Sequence, residues 1–240
     1  RLEDALFFWN EDTRRPLVDM AAGLKEVLFH ERLGSIMDKV ERLQTLAVAI
    51  GEACNLSDTD TLKRAAMLCK ADLVSSMVFE FPELQGIMGR YYAIKSGEKS
   101  EVSQAIFEHY LPRSAGDILP TSEGGKVLSL AEKLDNLAGC FAIGLKPSGS
   151  QDPYALRRQA MGIVHIITQL ELKDEFWQQA IDHDQKKAKA LIVQLGELAK
   201  LFLKSCYTIP KAHILFPEKI YVLDKIVILQ ERVFRLGHPG

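Results

Sequence analysis

The chain has 240 residues, 47% hydrophobic and 26% charged, with a net charge of −2. This is ordinary globular composition, long enough for one large domain or two small ones with a proper core. The charge excludes a polyelectrolyte that binds nucleic acid along its whole length and leaves room only for a local basic face.

Helix signals dominate in chain order and strand signals are weak. Residues 1–10 carry Leu2, Ala5, Leu6 and Trp9 at helical spacing, and Asn10-Glu11-Asp12 predicts a polar break. Because the chain starts with an Arg inside this helix, an excised piece of a longer protein is expected. Pro16 suits the start of a helix running to about Val27. Gly34 and Ser35 precede a helix over 36–53 with Ile36, Val40, Leu43, Ala47 and Ile50 on one face. Asp58 or Thr59 is expected to cap a helix over about 60–80, in which Leu73, Val74, Met77 and Val78 share a face. Phe81-Pro82-Glu83-Leu84-Gln85-Gly86 reads as a sharp corner into a helix near 83–95.

A helix over 101–110 precedes a long irregular stretch from Pro112 to Gly125, and loops of that length are usually functional. Residues 126–143 are apolar and helical; Gly144 to Ser150 is irregular; Asp152-Pro153 caps and starts a helix to about 170. Beyond it, helices are expected from Lys186 to about 204 and from Leu223 to Leu236. The fold class is therefore all-α. A helical segment over 1–30 leads into a helical domain over 31–172, and 173–240 form a C-terminal helical region.

The four cysteines, Cys54, Cys69, Cys140 and Cys206, form no CxxC pair. They fit reduced thiols in a cytoplasmic protein better than a disulfide framework or zinc site. No apolar run approaches the roughly 20 residues that span a bilayer, and no signal peptide is visible. The six histidines form no ligand motif; His30 and His109 adjoin the most specific segments. There is no GxSxG, P-loop or GxGxxG.

Lys70 and Asp72 lie within an apolar stretch, so they are either a site or a buried pair that fixes the core. Ala65-Ala66-Met67-Leu68-Cys69-Lys70 resembles the core helix of the HD superfamily, where a consecutive His-Asp pair binds a divalent metal. Laid without gaps, Cys69 and Lys70 fall on that pair, Asp38 on the earlier His and Glu132 on the final Asp; Asp72 and Asp135 are the near alternatives. A lysine ammonium at a ligand position repels a cation and offers no lone pair. The expectation is a degenerate, metal-free site in which Lys70 supplies charge against Asp38, Glu132 or Asp135. A working metal site is the alternative.

Two basic clusters stand out. Arg157-Arg158 follow a loop containing Lys146, Ser148 and Ser150, a setting suited to a phosphate or an RNA backbone turn; surface ion pairs are the plainer account. Arg90-Tyr91-Tyr92 with Lys95 suit RNA contact by charge and stacking, and core packing of one tyrosine competes with that.

Several segments together resemble the β subunit of bacterial heterotetrameric glycyl-tRNA synthetase. They are Phe7 to Asp12, Phe29 to Ser35, Lys70 to Val74, Glu83 to Gly89, Glu108 to Arg113, Ala131 to Asp135 and Gly149 to Arg158. Gln151 stands where that family's pattern has a Lys, and Glu132 where Asp is more usual. The resemblance implies an HD-like helical domain from the middle of a β subunit. Two α chains pair with two β chains to attach glycine to tRNA(Gly), using ATP with Mg at a catalytic site in the α subunit. It also implies that this region holds no catalytic residue and no cofactor of its own, and that it contacts tRNA(Gly) and the α subunit but no membrane.

On that basis the tRNA or phosphate contacts are expected from Arg90, Tyr91, Arg113, Lys146, Arg157 and Arg158. Asp38, Cys69, Lys70, Asp72, Glu132 and Asp135 are expected to form a structural charge network. A metal-dependent HD-type phosphohydrolase acting on nucleotides is the alternative, and a scaffold that never meets RNA is a third reading.

Overall fold

A computed structural model describes residues 2–54, 56–114, 116–145, 147 and 151–169. The helices expected beyond residue 170, and Lys146, lie outside the described residues. The chain divides into two compact units, Arg1–Gly139 and Cys140–Gly240. Among the described residues the fold is helical apart from one two-stranded hairpin, and no helix is long and apolar enough to cross a membrane.

Helix α1 (Leu2–Asp12) runs through Asn10 and Glu11 instead of breaking there. Its last residue explains why: the Asp12 carboxylate is 4% exposed and accepts from the N–H groups of Ser76 and Met77 and from the Tyr92 hydroxyl. The polar end of the helix is therefore drawn into the core. Pro16 precedes α2 (Leu17–Ala21), which tightens into a 3-10 turn over Ala22–Lys25. Residues Leu28–His30 (β1) and Gly34–Ser35 (β2) pair antiparallel.

Helix α3 (Ile36–Ala53) follows the expected bounds. Ser35 and Asp38 form a reciprocal capping box at its start, and Ile36, Val40, Leu43, Ala47 and Ile50 are all buried. It packs on α4 (Thr59–Leu68), whose N-terminus is capped by the Asp58 carboxylate.

The single helix expected over 60–80 is instead two. Helix α4 ends at Leu68, Lys70 sits in the break, a 3-10 turn covers Ala71–Val74, and α5 spans Ser76–Glu80. The break has local and distant causes. The Ser75 hydroxyl accepts from Val78 N and donates to Asp72 O, and Asp12 holds the first N–H groups of α5. The corner follows as a 3-10 turn over Pro82–Leu84, with Pro82 in its first turn. Helix α6 (Ile87–Lys95) then starts from Gly86, whose φ of 77° favours glycine.

Helix α7 (Ser100–Glu108) packs on α4 and α6. Helix α8 (Glu123–Ala142) takes in Gly124-Gly125, so the irregular stretch is shorter than expected. From Val127 to Asp135 it is buried on every side, as befits a helix at the centre of a core. In the second unit, α9 spans Leu156–Gln169, with Leu156, Ile163 and Ile166 buried.

Candidate functional site

The centre of the first unit is a set of charges gathered on α8. Glu132, Lys133 and Asp135 are all buried there. Oε1 of Glu132 lies 3.1 Å from Lys70 Nζ and 3.5 Å from Lys39 Nζ. Oδ2 of Asp135 lies 2.9 Å from Lys39 Nζ, and its Oδ1 lies 2.5 Å from Arg42 Nε. Asn136 completes the set, accepting from Lys39 at 2.6 Å. Burial works against the charge on Glu132, but the ammoniums of Lys39 and Lys70 outweigh it and hold its carboxyl below the usual range.

Of the residues expected here, Lys70, Glu132, Asp135 and Cys69 do come together; Asp72 and Asp38 do other work. Asp72 is fully buried, but its Oδ2 accepts from Gly86 N at 2.7 Å and Gly89 N at 3.0 Å, capping α6 across the corner. Burial pushes its carboxyl up to about 6, against the pull of those two N–H groups and of Lys70. Asp38 is exposed and bound to Ser35 in the α3 capping box. Its neighbour Lys39, 2% exposed, and Arg42 one turn on are the residues that α3 sends to the cluster. Cys69 is buried beside Lys70, and burial pushes its thiol up to about 12.

The ammonium of Lys70 also sits 3.9 Å from the centroid of the Tyr110 ring, a cation–π contact in the interior. His109 is fully buried, its Nδ1 2.5 Å from Ile106 O, and burial together with Lys70 pushes its pKa well down. It is therefore a neutral ring with its proton on Nδ1, and its Nε2 has no hydrogen-bond partner among the described residues. Lys133 donates to Leu111 O at 2.7 Å and to Ser129 Oγ, and burial pushes its pKa down to about 7.

Lys39, Arg42, Lys133 and the capping acids Asp12 and Glu108 were absent from the sequence-based set. Glu108 accepts from the N–H and hydroxyl groups of both Thr121 and Ser122, which anchors the start of α8. A charged residue within an otherwise apolar face, as at Lys39 between Ile36 and Val40, is the one signal that marks such groups in the sequence.

The cluster does not suit the divalent ion that an HD-type site would hold. Oε1 of Glu132 is taken by two ammoniums and both oxygens of Asp135 by Lys39 and Arg42. Oε2 of Glu132 is the one carboxylate oxygen of the cluster without a partner among the described residues, and a metal there would have to tolerate Lys70 beside it. Among the described residues no group of three or more His, Cys, Asp or Glu side chains is placed to hold a metal.

The exposed candidates sit differently. Arg113 donates from Nη2 to Gln85 O at 2.8 Å and lies 5.7 Å from the Tyr110 centroid, so it ties the corner to the end of α7. Arg90 is half-buried over the Phe107 ring at 5.5 Å. The two tyrosines part company. Tyr92 is buried, stacked on Trp9 with ring centroids 5.5 Å apart, while Tyr91 is 52% exposed. Arg157 and Arg158 are exposed in the first turn of α9. That helix starts later than expected, at Leu156, and Asp152 caps it by accepting from Leu156 N and Arg157 N.

The sequence model of the family described as "Glycyl-tRNA synthetase beta subunit" matches residues 1–209. The chain is 69% identical over 172 residues to the glycine-tRNA ligase beta subunit of Syntrophomonas wolfei, covering 72% of this chain and 25% of that protein. It is 56% identical over 169 residues to the Desulforamulus reducens protein of the same name, covering 70% and 24%. It is 49% identical over 205 residues to that of Desulforudis audaxviator, covering 83% and 29%. The chain thus spans about a quarter of the length of the curated relatives it matches. By the family match and by these identities, it belongs to the glycyl-tRNA synthetase beta subunit family.

Proposed function

We propose that this chain is a non-catalytic, HD-like module which positions tRNA(Gly) and supports assembly with the α subunit in a cytoplasmic glycine-tRNA ligase. The ligase joins glycine to tRNA(Gly) at the expense of ATP with Mg, and that chemistry belongs to the α subunit. The observation that carries this reading is the internal neutralisation of the buried cluster by Lys39, Lys70 and Arg42. Charge that a hydrolase would spend on a metal and a phosphate is here spent on holding α3 and the Lys70 break against α8. Exposed basic groups, with Arg157 and Arg158 foremost, are what remain for RNA phosphates. The phosphohydrolase alternative has no observation in its favour.

The test uses the full β subunit assembled with its α subunit. Binding of tRNA(Gly) is measured over a range of salt for wild type and for R157A/R158A. Loss of two phosphate contacts should weaken binding and reduce the salt slope by roughly one per contact. An unchanged affinity and slope would favour a scaffold that never meets RNA at these residues.

A further inference from the structure

Helix α6 presents a face that the core does not use. At 3.6 residues per turn, Arg90, Ile94, Tyr91 and Lys95 fall within one arc of roughly 140°. Tyr91 and Ile94 are each 52% exposed, and Lys95 is exposed in the last turn. The helix sequence, IMGRYYAIK, contains no acid. The opposite face is locked: Gly89 lies against Ile106 and Asp72, Ala93 is buried, and the Tyr92 hydroxyl donates to Asp12. Tyr91 therefore projects from a helix whose other face is fixed by packing and hydrogen bonds.

The acids packed beneath α6 and around its ends are engaged, apart from the exposed Glu80 and Glu83 that precede it. Asp72 holds the start of α6, Asp12 holds α5 and Tyr92, Glu98 pairs with Arg64, and Glu108 holds the start of α8. Glu83, exposed in the turn before α6, lies toward the opposite end of the helix from Lys95. The face is thus apolar and aromatic with basic flanks. That is the charge complement of a nucleic acid and not of a basic protein surface.

Resting on the tRNA-binding reading above, we infer that Tyr91 is a stacking platform for a base in an unpaired stretch of the bound RNA. Ile94 packs beside that base, and Arg90 and Lys95 hold the adjoining phosphates. A paired helix offers its backbone and shallow groove but hides its base faces, so an exposed ring on a rigid helix suits unpaired nucleotides. Because the helix beneath the ring is already packed, the contact needs only the Tyr91 side chain to be ordered.

The test again uses the α–β assembly, with tRNA(Gly), a short single-stranded RNA and a blunt RNA duplex as probes. The single strand should compete with tRNA better than the duplex does. Y91A should weaken tRNA and single-strand binding by about 5- to 150-fold, the span of one base–aromatic stack, with the salt slope unchanged. Y91F should bind like wild type, and K95A should flatten the slope. Wild-type binding by Y91A would overturn the inference, as would a Y91F defect equal to that of Y91A. Loss of the α subunit from Y91A with RNA binding intact would also overturn it, and would mark a protein contact. If Y91A is normal while R157A/R158A is weakened, stacking falls and the tRNA reading stands; if neither variant changes binding, both fall.

Discussion

Lys70 and Glu132 meet inside the protein, Nζ to Oε1 at 3.1 Å, with Lys39 on the same oxygen and Tyr110 beneath the Lys70 ammonium. One carboxylate thus joins α3, the break after α4 and the central helix α8. Replacing Glu132 by Gln leaves two buried ammoniums facing a neutral amide. The expected loss is about 3–5 kcal/mol of stability, the cost of an uncompensated buried charge. The double variant K70M/E132Q should lose less than the K70M and E132Q losses added together, because neither member of the pair is then left facing a missing partner. Urea denaturation of the four proteins in the cycle checks this.

Asp72 sets a pH dependence of opposite sense to the usual carboxylate. Its folded pKa, about 6, lies above the ordinary 3.8 because burial outweighs its two N–H donors and Lys70. The folded state therefore holds the proton longer than the unfolded chain. Its contribution is fully present below about pH 3.8 and is lost as pH rises through about 6. The size is on the order of 3 kcal/mol. His109, kept neutral by burial, slopes the other way at acid pH, so the diagnostic quantity is the difference between wild type and D72N. That difference should change between pH 4 and 6, by roughly the amount above, and be flat above 7. A flat difference throughout would mean that Asp72 has the same pKa in the folded and unfolded chain.

Lys133 works in a separate window. Burial lowers its pKa from 10.5 to about 7, so between those values the unfolded chain binds more protons than the folded one. Stability from this group should rise with pH from about 7 to 10.5. The K133M variant removes the titration, and the wild-type minus K133M curve isolates it from the Cys69 thiol. An increase of a few kcal/mol in that difference across the window is expected; a level curve would show that Lys133 keeps its proton.

Periodicity made much of the framework legible. The α3 stripe from Ile36 to Ile50 announces itself because every member points to one side, and Ser35 and Asp38 supply the cap locally. The break at Lys70 was not legible, because Asp12 contributes to it from a helix far away in sequence. The charge cluster was half-visible. Lys70, Glu132 and Asp135 stand out in apolar surroundings, whereas Lys39 is marked only by its place between Ile36 and Val40, within a helix start, Asp38-Lys39-Val40-Glu41-Arg42, that is otherwise rich in charge. Only the rotation of α3 decides that Lys39 faces inward and Asp38 outward. Arg113 carried the opposite disguise: a basic residue in a loop whose guanidinium is largely engaged by carbonyls and a ring.

Six of the protein's acids lie where an anion from outside would otherwise bind. Asp38, Asp58, Asp12, Asp72, Glu108 and Asp152 occupy the starts of α3, α4, α5, α6, α8 and α9 respectively. Open helix starts are ready-made phosphate cradles, and these six are already filled from within. Any RNA backbone that meets these helices must be held by side chains, so its grip should depend on individual Arg and Lys residues and yield to their substitution one at a time.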